Sequence, residues 1–187
     1  MDLPADIKDL HQQLDAAERD AALLVAGLSP EQGVTRPAPG RWCISECLDH
    51  LATSNRVYLA AMREPLARAR ERNRRRRGPA KPGWPGRLFI YSLEPPPKFA
   101  SKRKSPRKAR PRAAPPLAVA YADFSASHAD VRAFLHENAD LDLARIRFTN
   151  PFVRVIHFSL ATGLHVLTAH ERRHLWQAWS VRRTLEA

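Results

Sequence analysis

Residues 169–177 read Ala169-His170-Glu171-Arg172-Arg173-His174-Leu175-Trp176-Gln177. On either side of them Leu160, Leu164, Leu167, Ala178, Val181 and Leu185 keep the spacing of one helical face, which predicts a helix running to the end of the chain. His170 and His174 stand one turn apart on it, so both imidazoles point the same way. Val166, Leu167, Gln177 and Val181 put that direction on the inward face. A buried imidazole pair is costly unless its ring nitrogens find partners. Two readings satisfy it: a pair of hydrogen-bonded core histidines, or two ligands of one divalent cation.

A second helical pattern supplies a third histidine. Cys47, Leu48, Leu51, Tyr58, Leu59, Met62 and Leu66 recur with the same period and predict a helix over about 44–73. His50 shares the stripe of Cys47 and Leu51, so it also faces the interior. Three inward histidines on two helices compose a facial metal site with open positions for water or substrate, the arrangement of catalytic rather than structural zinc. Glu46, one turn before His50, is a candidate to orient a ligand, or simply a carboxylate capping the helix start. Gln177, one turn after His174, is a candidate to hydrogen-bond a ligand histidine, or simply a neighbouring helix.

Two further helices complete the pattern. Ile7, Leu10, Leu14, Ala17, Ala21, Leu24 and Leu28 predict one over about 4–28, ended by Ser29-Pro30 and the Gly- and Pro-rich stretch to Gly40. Leu117, Ala120, Phe124, Val131, Phe134 and Leu135 predict another over about 117–138, its pattern interrupted by Ser125 and Ser127. A short apolar connection follows Asn150-Pro151, and no stretch alternates as a strand does. Four amphipathic helices bury their stripes most economically as an all-α four-helix bundle, and 187 residues suit one domain over 1–187.

The charge lies off the bundle. The chain holds 31 Lys and Arg against 19 Asp and Glu, a net +12. From Arg63 to Arg112 there are 18 bases and three acids, a net +15, which leaves the remainder at 13 bases and 16 acids, or −3. Within this region the stretch of about 74–116 is rich in proline and glycine and reads as a long, partly mobile crossover between the second and third helices. Such a connection permits those two helices to run parallel. Inside it Trp84, Leu88, Phe89, Ile90, Tyr91 and Leu93 form an apolar island expected to fold back on the domain.

The order and spacing of these residues resemble the DinB-like (DinB/YfiT) superfamily of metal-binding four-helix bundles. The match rests on Trp42, Glu46 and His50-Leu51 in the second helix, and on His170, His174 and Gln177 in the last. The resemblance covers nearly the whole chain outside the basic insert. It implies an up-down-down-up helix order, one divalent ion held by His50, His170 and His174, and a homodimer. It implies further a metal-dependent activity, either hydrolysis or a transfer or isomerisation that uses a low-molecular-weight thiol and a small-molecule substrate. Three imidazoles suit zinc or nickel first, and copper or iron(II) besides. This chain departs from the family at Cys43, where Ser or Thr usually caps the helix, and in the length and charge of its insert.

Two other functions compete. His170-Glu171-Arg172-Arg173-His174 satisfies the H-E-x-x-H pattern of zinc peptidases, with Glu171 as general base. Against it, the positions where a metzincin places Gly and its third His hold Gln177 and Ser180, and Glu186 sits at the chain end. Alternatively, Arg74, Arg75, Arg76 and Arg77, with Lys102, Arg103 and Lys104, offer counterion release to a nucleic acid or other polyanion. Only Phe99 within these runs is available to stack on a base. The remaining histidines, His11, His128, His136, His157 and His165, are expected at the surface or as satisfied core residues. No apolar stretch approaches the roughly 20 residues of a membrane span, and the start Met-Asp-Leu-Pro-Ala-Asp has no signal-peptide character, so the expectation is a soluble cytoplasmic protein with reduced Cys43 and Cys47.

Overall fold

The computed structural model describes residues 3–97 and 105–186. Four long helices carry the fold: α1 Ala5–Val25, α3 Ile44–Glu71, α5 Leu117–Glu137 and α6 Leu160–Glu186. Two short ones, α2 Pro30–Val34 and α4 Trp84–Leu93, and one antiparallel hairpin, β1 Arg147–Thr149 with β2 His157–Ser159, fill the connections.

Side-chain pairs give the directions. Arg56 meets Asp123, and further along both helices Arg70 meets Asn138, so α3 and α5 run the same way. His50 meets His170 while Met62 closes on Gly163, so α6 runs against α3. Gln13 bonds Thr168 and Asp20 accepts the Trp179 indole N–H, so α1 and α6 run together. With α1 taken as up, the long helices follow as up, down, down, up.

The core is two apolar clusters separated by a polar layer. One holds Leu10, Leu14, Met62, Leu135, Leu160 and Leu164; the other holds Leu24, Ile44, Leu48, Leu51, Phe124 and Leu175. Between them lie the fully buried Ser54 and Asn55 of α3, Ser127 and His128 of α5, and Glu171 of α6. The interruption of the third helical pattern at Ser127 belongs to this layer.

The structure amends the sequence expectations in three places. Ser29 accepts the Gln32 N–H and Gln32 returns its side-chain oxygen to the Ser29 N–H, so a capping box builds α2 where a bare connection was expected. The apolar island becomes α4: Phe89, Ile90 and Leu93 pack on the core and Trp84 and Leu88 stay exposed. Gly86 admits this contact, because a Cβ there would lie 2.7 Å from Thr162 of α6. Finally, the connection after α5 forms the two strands, each of three residues and so too short to show alternation.

Candidate metal centre

Glu46 starts α3. Its carboxylate accepts the Cys43 N–H at 3.0 Å, pairs with Arg36 from the preceding loop, and accepts the Ala114 N–H at 3.3 Å. Burial alone would push this carboxyl up, but the Arg36 guanidinium and the N–H groups outweigh it and hold it below its ordinary value. Glu46 thus acts at the helix start, in contact with Arg36, Cys43 and Ala114. The sequence also offered it as an orienter of the histidines, and its contacts do not support that role.

One turn later His50, buried, projects toward α6, where His170 and His174 meet it. The Nε2 atoms of His50 and His170 lie 3.2 Å apart, and one ring nitrogen from each of the three histidines falls within 4.8 Å of the others. Two nitrogens about 2.0–2.1 Å from one ion, at a near-tetrahedral angle, stand roughly 3.3 Å apart. The rings are T-shaped to one another, with centroids 4.5 to 5.0 Å apart. Trp42 lies over His50 and His174 at 4.8 and 5.7 Å and walls one side. His170 and His174, expected on a buried face, are partly buried.

The far nitrogens are spoken for in two of the three. His174 Nδ1 donates to Gln177 Oε1 at 3.1 Å, and His50 Nδ1 donates to the backbone carbonyl of Ala109. An amide or carbonyl oxygen only accepts, so each bond places the proton on Nδ1 and leaves Nε2 with its lone pair. Burial lowers the pKa of His50, and burial together with the neighbouring imidazoles holds His170 and His174 well below their ordinary value. Three imidazoles of this kind form a donor set that fits a divalent cation.

The other candidates fall elsewhere. Glu171, the would-be peptidase base, is wholly buried and accepts the Asn55 amide at 3.0 Å beside His128, so its carboxylate serves the core. Arg74, Arg75 and Arg77 are exposed, Arg75 pairing with Asp140 at the surface, and Arg76 pairs with Asp6 in a partly buried position. Two of those four arginines are therefore already paired with acids of the same chain. Lys102, Arg103 and Lys104 lie outside the described residues. Sequence reasoning missed the Ala109 carbonyl, which as a backbone group has no sequence signature. His128, expected at the surface or in the core, is a core residue beside Glu171.

A mostly helical four-helix bundle brings three histidines together from two antiparallel helices, a cluster that could hold a metal ion. The model of the DinB superfamily matches residues 13–178, and the chain belongs to that family. Among solved structures the chain is similar to YfiT from Bacillus subtilis, described as "a probable metal-dependent hydrolase with an unusual four-helix bundle topology". The two share 15% sequence identity at a TM-score of 0.58, over 96% of this chain and 87% of that one. No curated protein matches the chain. Among the described residues no helix is long and apolar enough to cross a membrane.

Proposed function

We propose that this protein binds one divalent metal ion, zinc or nickel, through Nε2 of His50, His170 and His174, and that it is a metal-dependent enzyme. The observation that carries the reading is the 3.2 Å approach of two Nε2 atoms beside a third imidazole, with Nδ1 of His50 and of His174 bonded to acceptors. When bound, the ion would lower the pKa of a water or thiol that takes an open position. His50, His170 and His174 would hold the ion beside Trp42, whose ring lies against those of His50 and His174.

Hydrolysis is the first reaction to assay, since it needs no group beyond water and since the YfiT fold neighbour is described as a probable hydrolase. A transfer reaction would take its thiol from a small molecule, because Cys43 and Cys47 are buried and burial pushes both thiols up. A homodimer would cover the exposed ring of Trp176 on the outer face of α6.

Elemental analysis of untagged protein tests the centre. One equivalent of divalent metal is expected in the wild type, and much less in His50→Ala and His170→Ala. Protein that holds no metal and takes up neither added zinc nor added nickel would overturn the reading. Hydrolysis of ester and amide substrates, lost with the metal and restored with it, then tests the activity.

A further inference from the structure

The basic crossover returns to the bundle as a chain of four prolines and a single 3₁₀ turn: Pro106, the turn Arg107–Ala109, Pro111, and Pro115-Pro116 before α5. A turn of three residues cannot hold its own position, yet Ala109 is only 1% exposed and its carbonyl reaches His50. What secures it is Arg112. Its backbone N–H donates to Asp49 Oδ2 at 2.8 Å and its Nε to Asp49 Oδ1 at 2.7 Å. Its outer guanidinium nitrogen bonds both Asp49 and Asp123. Asp49 is buried and adjoins His50 in α3, so the fork that neutralises it places the turn against the next side chain. Two residues on, the Ala114 N–H closes on Glu46. Three successive polar groups of the α3 face thus take their partners from residues 109–114.

We propose that residues 106–114 form a positioning strap: Arg112, by gripping Asp49 and Asp123, holds the Ala109 carbonyl on Nδ1 of His50 and so keeps Nε2 of His50 turned toward His170 and His174. The inference rests on the three-histidine centre proposed above. Arg112 touches none of the three imidazoles, so it is a positioning residue that acts through the backbone of Ala109. The prolines serve the same end, since fixed φ angles leave the free strap fewer conformations to lose when it docks. A partner behind a ligating histidine sets its tautomer and ring orientation, and removal of such a partner weakens metal binding by about 10- to 100-fold. In this chain that partner comes from the insert rather than from a neighbouring helix.

An ion pair that only stabilised the fold would not touch the imidazole, and the test uses that difference. Long-range 1H–15N spectra of the metal-free protein read the His50 tautomer, while zinc affinity is read by competition with a chromophoric chelator. The wild type is expected to show His50 protonated at Nδ1. Arg112→Ala is expected to lose that single tautomer and to bind zinc about 10- to 100-fold more weakly with its helix content retained; Arg112→Lys, which keeps the charge without the fork, should fall between. Wild-type tautomer and wild-type affinity in Arg112→Ala would overturn the strap. If the wild type binds no zinc, the metal centre fails on its own, and the tautomer comparison still decides whether the strap orients His50. Should Arg112→Ala not fold, Asp123→Asn, at a partly exposed carboxylate, removes one of the two grips and gives the same comparison at smaller amplitude.

Discussion

The Glu171 carboxylate and the His128 imidazole lie 3.0 Å apart, one on α6 and one on α5, and neither has any solvent exposure. Asn55 of α3 donates to the same Glu171 oxygen and to Ser127, so three helices meet at one buried acid. Glu171→Ala would leave the Asn55 amide and His128 without that partner and open a void. Leaving a buried polar group without its partner costs about 1–3 kcal/mol, whereas Glu171→Gln, which retains an acceptor, should cost less than half of that. Urea midpoints measure both. A Glu171→Ala protein within about 0.5 kcal/mol of wild type would mean that the layer is solvated and not a structural lock.

Glu46 predicts the acid limb of the stability curve. Its native pKa lies below its unfolded value, so the unfolded chain binds the proton more readily. The stabilisation is complete above the ordinary glutamate range and is lost as pH falls through the lowered native value. Glu46→Gln should be less stable at pH 7 by about 1–2 kcal/mol, a figure kept low because Arg36 is 45% exposed. Below about pH 4.5 the variant should lose less further stability than the wild type. Parallel denaturation curves for the two proteins would reject the assignment of this limb to Glu46.

Legibility followed side-chain periodicity. The long helices announce themselves because each repeats apolar residues over five or more turns, and the i, i+4 pair His170 and His174 is readable from spacing alone. The short elements were less visible. Ser29-Pro30 followed by Gln32 is a helix-start signature read only as a terminator, and Trp84-Pro85 places proline at the first turn of α4 within a stretch dominated by helix breakers. Ser127 broke the apolar pattern of α5 and so counted against the helix, although it faces the core as part of the polar layer. The contact between His50 and Ala109 was out of reach, since it joins a backbone carbonyl to a ring 59 positions away.

Thiol reactivity offers an independent check on the packing around His50. Cys43 and Cys47 have no exposed surface, and burial pushes both thiols up, so the reactive thiolate is scarce as well as inaccessible. An aromatic disulfide reagent at pH 8 should leave the native protein unmodified over a time in which guanidinium-unfolded protein releases two equivalents. Rapid release of one equivalent from the native protein would show that the start of α3 opens, and the geometry of the histidine centre would open with it.

Gln177 separates the two sequence readings of its own role. Its Oε1 sits 3.1 Å from His174 Nδ1, in an i, i+3 contact on one helix. If this bond orients a metal ligand, Gln177→Leu should weaken zinc binding by about tenfold or more while helix content and melting temperature stay close to wild type. Gln177→Glu should bind zinc more tightly than wild type, because a carboxylate behind an imidazole raises its basicity as a ligand. Competition titrations on the three proteins at one pH give the order. An affinity unchanged by Gln177→Leu would reduce the bond to a contact without influence on the metal, leaving the bond from His50 to the Ala109 carbonyl as the one far-side bond, among the described residues, that could orient a proposed ligand.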